Sequence, residues 1–252
     1  MIIFTCKDNF EDMMTCIFDA WASKEGHQNI RLQTEPIGDL ELFCEYRHID
    51  ADMEKSRKVI RSIQQKISFS AYEMVFRCAM SDLDDKLDRI YRFLLLGFTY
   101  HAKTTSMLQH PYVISIFEAN RKVANETHLF REFLRFQSLP DGVLLIAHIE
   151  PKSNLLTLLY PAFDDRLPSE NWMIIDDNRR IAAIHPADEE TWLTPLSQEE
   201  FDRLRHSEET GDPFIDLWNT FFHTIAIKER SNPVCQRTHL PIWYRSHMTE
   251  FR

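Results

Sequence analysis

The chain has 252 residues, 44% of them apolar, with 18 Phe and 5 Trp, which is enough for a sizeable core and too apolar for a disordered segment. The formal charge is −10 and only 5 Gly are present. Neither G-x-G-x-x-G nor G-x-x-x-x-G-K-[ST] occurs, which excludes nucleotide binding by those two glycine-rich devices.

Residues 1–5 read as a short buried strand. Asp8, with Glu11 three residues on, fits the cap of a helix carrying Phe10, Met14, Ile17, Phe18 and Trp21 at helical spacing, which Gly26 stops. Residues 30–34 and 40–46 have strand composition. From Asp50 the pattern turns helical: Val59, Ile60, Ile63 and Ile67 form one stripe, and residues 70–80 add a second helix. Asp82 fits the cap of a third with Leu83, Leu87, Ile90, Leu94 and Phe98, and Pro111 suits the first turn of a fourth.

The helical pattern then reaches Phe136. Pro140-Asp-Gly142 and Pro151-Lys-Ser-Asn154 are turn signals around two apolar runs, residues 142–149 and 155–160, predicting an antiparallel hairpin. Asp177-Asn178 marks a second hairpin between residues 172–176 and 181–185. Residues 186–212 are acidic and without an apolar stripe, so they read as a loose connection holding one short helix, capped by Ser197 and Glu200 and ended by Gly211. Asp212-Pro213 opens a further helix with Ile215, Trp218, Phe221, Phe222 and Ile225, which Ser231-Asn232-Pro233 closes. The expected fold class is α+β. A helix-rich α/β part covers residues 1–120, and residues 121–252 add a small antiparallel sheet packed by helices, a C-terminal helix and a basic tail; one continuous domain is the alternative.

Five scattered cysteines (Cys6, Cys16, Cys44, Cys78, Cys235) without a C-x-x-C pair read as reduced thiols, not as a disulfide frame or a cluster cradle. The opening residues lack the basic start of a signal peptide, and no run has the apolar length of a bilayer span. A cytoplasmic protein is expected.

Charge is unevenly spread. Residues 217–252 carry Lys228, Arg230, Arg237, Arg245 and Arg252 against Glu229 and Glu250, which leaves −13 for the remainder. Basic side chains interleaved with Trp243 and Tyr244 suit a single-stranded nucleic acid, charge meeting phosphate and rings meeting bases. The same aromatic segment equally suits packing onto the core. Upstream, His128, Arg131 and Arg135 fall at spacings of three and four, so one helix face can present them to a phosphate, with the imidazole held neutral by its cationic neighbours. An ordinary solvated face is the alternative. Asp176 could orient Arg179 toward an anion, although a turn needs such residues for backbone reasons alone. The histidines His128, His148, His185, His223 and His239 show no metal-binding spacing. No metal site is therefore expected, save one assembled from distant segments. G-x-S-x-G is absent, so no hydrolase nucleophile is marked.

Several segments together carry a family resemblance: Glu126-x-His128 with Phe133-Leu-Arg-Phe136, then Phe163-x-x-Arg166, Trp172-x-Ile174-x-Asp176-x-x-Arg179, and Leu217-Trp-x-x-Phe221 continuing to Arg230-x-Asn232-Pro. Lys66-Ile67-Ser68, Gly97-Phe98, Gln236, Pro241, Tyr244 and Glu250 agree as well. The chain resembles a bacterial domain-of-unknown-function family labelled probable DNA metabolism or DNA repair protein. The resemblance implies a partner, a radical-SAM iron–sulfur protein of DNA modification or repair. Iron–sulfur cluster and S-adenosylmethionine would then belong to that partner, with no cofactor in this chain. Where the family pattern shows His before Phe163, this sequence has Ala162. Three functions follow as expectations. In the first, the chain is an accessory protein with a polar site of His128, Arg135, Arg166, Asp176 and Arg179, and nucleic-acid contacts from Lys228, Arg230, Arg237, His239 and Trp243. The second is an enzyme acting on a nucleobase or nucleotide, and the third a structural adaptor.

Overall fold

The structure, a computed structural model, describes residues 1–139, 142–208, 212–227, 229 and 232–251. It is a mixed α and β fold, and the chain divides into two compact units, residues 1–125 and 126–252.

In the first unit, β1 (Ile2–Cys6) is the centre of a parallel three-stranded sheet, flanked by β2 (Ile30–Thr34) and β3 (Glu45–His48). The helix α1 (Phe10–Ala22) makes the β1–β2 crossover and buries Met13, Met14 and Ile17. Its cap is Asn9, whose side chain accepts from the Asp12 N–H at 2.9 Å, one residue later than the sequence pattern suggests. Asp8 instead pairs with Lys86 at 2.6 Å. The strand expected over residues 40–46 starts only at Glu45, because Leu42 and Phe43 are almost fully exposed and Phe43 has φ 62°, a left-handed conformation foreign to a ladder. The helices α2 (Met53–Lys66), α3 (Phe69–Ala79), α4 (Lys86–Tyr100) and α5 (Pro111–Phe133) follow. Asp82 does not cap α4; its carboxylate accepts from Lys122 Nζ at 2.6 and 2.9 Å. Ile63, Val75, Leu87, Ile90, Phe93 and Val113 are fully buried within this unit.

In the second unit, five strands lie in the order β4 (Gln137–Ser138), β5 (Leu145–Ile149), β6 (Trp172–Asp176), β7 (Ile181–His185) and β8 (Trp192–Pro195). The β6–β7 hairpin forms as expected, with Ile174 facing Ala183. The hairpin expected from residues 142–149 and 155–160 does not. Residues 155–160 belong to α6 (Leu156–Leu159), which runs into α7 (Pro161–Asp164), and β5 pairs with β6 in parallel, Ile149 beside Asp176. Leu155, Leu156, Leu159 and Phe163 are buried on one side of these helical turns. Residues 155–160 are a short and nearly continuous apolar run, a pattern that a buried strand shares with a buried helical turn, which is why the run is misread from sequence.

Two elements were not expected in the acidic connection and the tail. β8 is an exposed edge strand closed by Pro195, a position where proline is tolerated. Near the end, α10 (Pro233–His239) is capped by Asn232, whose side chain accepts from the Cys235 N–H. The helix α8 (Gln198–Glu208) opens on the expected capping box, Ser197 and Glu200 each bonding the other's backbone or side chain. Helix α9 (Pro213–Ile225) is capped by Asp212. Pro140 and Asp141 of the first turn signal, the Gly211 stop and Ser231 lie outside the described residues.

Gly97 on α4 permits a close approach to a buried side chain. A Cβ there would overlap Cδ1 of Ile67, which sits buried just past α2. Gly97→Ala is therefore expected to lower the unfolding free energy by about 1–2 kcal/mol despite alanine's better helix propensity. Ile67→Val removes the obstructing atom, so the double variant should recover part of that loss in a denaturant melt. Strict additivity of the two substitutions would show that the close approach is not the cause.

Candidate functional site

The carboxyl ends of β5 and β6 lie side by side, the location at which open α/β sheets gather their ligands. His148 and Glu150 come from the end of β5, Asp176 and Asp177 from the end of β6. The final segment, which contains two short 3-10 turns (Ile242–Arg245 and Thr249–Phe251), adds His247.

Asp176 anchors this end of the sheet. Its side chain is completely buried, and Oδ1 accepts from the backbone N–H groups of Asn178 (3.0 Å) and Arg179 (3.1 Å). Arg179 Nη1 donates to Oδ2 at 3.0 Å. Burial still pushes the Asp176 carboxyl above its ordinary range, outweighing the nearby guanidinium. The other guanidinium bonds go to the carbonyls of Pro151 and Lys152, and the Asn178 side chain also donates to Pro151. Buried Glu126 of α5 accepts from the backbone N–H groups of Lys152 (2.7 Å) and Ser153 (3.3 Å). The loop after β5 is thus clamped through both its carbonyls and its amides.

Against that loop, His148 Nδ1 meets Asp177 Oδ1 at 2.6 Å. The His247 ring stacks on the His148 ring, with centroids 5.9 Å apart and planes 24° apart. His247 Nε2 lies 3.3 Å from Glu150 Oε1, but its alignment makes no hydrogen bond. Burial depresses the His247 pKa, which favours the neutral ring. Phe130, Phe133, Trp243 and Tyr244 wall the small cleft beside these groups.

The five residues expected to share one polar site are not all brought together. Asp176 and Arg179 do meet. His128 is exposed on α5 and faces Glu132 at 3.1 Å. Arg131 donates to the Leu158 carbonyl. Arg135 lies beyond the end of α5, off the face of His128, and donates to Glu250 Oε1 at 2.9 Å; the Glu250 side chain is only 2% exposed. Arg166 is exposed over the Phe163 ring. His185, stacked on Trp172, meets Thr191, Asp164 and the Pro168 carbonyl. Ala162 is half-buried in α7.

Of the expected nucleic-acid contacts, Lys228 and Arg230 lie outside the described residues. Arg237 and His239 are exposed on α10. Trp243 is half-buried against Phe130 and Tyr244, with Lys152 Nζ 5.5 Å above its ring. Sequence reasoning missed Glu126 as a loop clamp, and it missed Glu150, Asp177 and His247. No local motif marks them, since Glu150 and His247 are 97 positions apart.

The model of a family described as a domain of unknown function (DUF4130) matches residues 84–250, well over half of the chain. The chain belongs to that family. The match includes nearly all of the second unit and, from the first, α4 and the part of α5 up to Asn125. No curated protein and no solved structure matches. Among the described residues, no helix is long and apolar enough to cross a membrane.

Two consequences are measurable. Arg135→Ala strands the buried Glu250 carboxylate and is expected to cost about 3–5 kcal/mol in chemical denaturation, with Glu250→Gln restoring part of it. A loss below about 1 kcal/mol would mean that the pair does not hold the tail.

The second concerns pH. The folded chain keeps the Asp176 proton to higher pH than the unfolded chain does, so its contribution is complete below the ordinary carboxyl range and is lost as pH rises through the folded value. The stability of the wild type relative to Asp176→Asn should therefore fall from about pH 4 toward neutrality. A difference that grows over that range would contradict burial as the dominant cause.

Proposed function

We propose that this chain is a cytoplasmic accessory protein of DNA metabolism or repair that docks a protein partner through α9 and holds nucleic acid with its basic ending. The observation that carries the reading is α9 itself. Phe214, Leu217, Trp218, Phe221 and Ile225 recur along one face of this helix, and each is between 39% and 68% exposed. An apolar stripe of that length left to solvent marks an interaction surface, and an amphipathic helix seated in a partner's groove is a standard mode of recognition. Beyond it, Arg237 and His239 are exposed, and Lys228 and Arg230 add positive charge in the sequence between α9 and α10. The family resemblance supplies the class of partner, a radical-SAM iron–sulfur protein that would bring the cluster and S-adenosylmethionine.

The gathering of His148, Glu150, Asp177 and His247 favours a second reading, an enzyme acting on a nucleobase or nucleotide.

The triple substitution Lys228→Glu, Arg230→Glu and Arg237→Glu is expected to abolish binding of a labelled single-stranded oligonucleotide. Each single Glu substitution should weaken binding and flatten the salt dependence by about 0.7 in log–log slope for each phosphate no longer neutralised. Leu217→Asp with Phe221→Asp should leave the thermal midpoint in place while eliminating co-purification of an iron–sulfur protein, followed by its iron content. Unchanged oligonucleotide affinity, or none in the wild type, sinks the nucleic-acid part. Undiminished co-purification sinks the docking part.

A further inference from the structure

We propose that Glu150, Asp177 and His247 form a binding site for a divalent first-row transition-metal ion, held at the carboxyl ends of β5 and β6. The expectation of no metal in this chain rested on spacing along the sequence; the fold removes that obstacle. One ligand atom from each of the three side chains lies within 4.8 Å of the other two. In a tetrahedral site with bonds near 2.1 Å, ligand atoms stand about 3.4 Å apart. The Glu150 to His247 separation of 3.3 Å already matches that edge. Glu150 is exposed, so a rotation of its side chain closes the set and gives the ion a path in.

An independent observation points to a ligand. The Asp177 side chain is only 8% exposed, and its Oδ2 has no hydrogen-bond partner among the described residues. A carboxylate oxygen buried in that way is costly unless something positive meets it. Its other oxygen is fixed by His148 at 2.6 Å, the outer-shell support that orients ligating carboxylates in metal sites. His247 Nε2 is likewise buried and without an aligned hydrogen bond.

One imidazole nitrogen and two carboxylate oxygens suit Zn²⁺, Co²⁺, Fe²⁺ or Mn²⁺ better than a soft, thiolate-seeking ion. Three protein ligands leave at least one position open, as catalytic sites do, where a water or a phosphate oxygen would be polarised. Such a site stands on the geometry of these three side chains and is independent of nucleic-acid binding.

The test uses the full chain, tag-free and chelator-treated, in a Cys235→Ser background that removes the exposed thiol. Co²⁺ is titrated while its visible bands and the heat of binding are followed, and Zn²⁺ is then added as competitor. One saturable equivalent is expected, displaced by Zn²⁺, with Glu150→Gln and His247→Gln each weakening binding by about tenfold or more. Because Glu150 is exposed, its variant keeps the fold, and an unchanged thermal midpoint without metal checks that. Absence of saturable binding, or undiminished affinity in both variants, overturns the proposal.

Discussion

A single buried carboxylate organises the carboxyl end of β5 and β6 in the second unit. Asp176 sits at the end of β6 with no exposed surface, and it is tolerated there because two backbone N–H groups and the Arg179 guanidinium meet it. The arrangement does more than satisfy a charge. Arg179 and Asn178, both positioned by Asp176, bond the carbonyls of Pro151 and Lys152. Glu126 accepts from the amides of Lys152 and Ser153. Remove the anchor and the loop after β5 loses the bonds that fix its height above the sheet, and with them the placement of Glu150.

The second constraint is direction of pairing. Since residues 156–159 and 161–164 are helical, the chain returns to start β6 at the same end of the sheet as β5, and the two run parallel. Parallel neighbours bring two carboxyl ends together, so His148, Glu150, Asp176 and Asp177 share one edge. Had residues 155–160 formed the antiparallel partner, the residue pairs after each strand would have been split between opposite ends. The chemistry of the site is therefore a consequence of topology rather than of any motif.

Several polar residues that look functional in the sequence turn out to hold the chain together. Arg135 neutralises Glu250, Arg131 closes on the Leu158 carbonyl, and Arg179 braces a loop. The Gly97 and Ile67 pair has the same character, a close approach of α4 to the residue after α2. In each case the partners are the chain's own carbonyls, carboxylates or apolar atoms, and residue type alone does not distinguish a ligand from a clamp.

The sequence by itself determined the features whose causes are local. The Ser197 and Glu200 capping box, the Asp212-Pro213 start of α9 and the β6–β7 hairpin follow from neighbouring residues competing for the same backbone groups, so short stretches suffice to read them. It also determined the mixed α and β class, through alternation of the two hydrophobic periods. Only the tertiary structure decided whether residues 155–160 were strand or helix, because so short and uniformly apolar a run shows no period to read. It also decided that Trp243 packs against Phe130, and that an imidazole from the last residues meets two carboxylates 70 and 97 positions earlier. Meetings between distant segments are set by the closing of the core around them, and no local pattern encodes that.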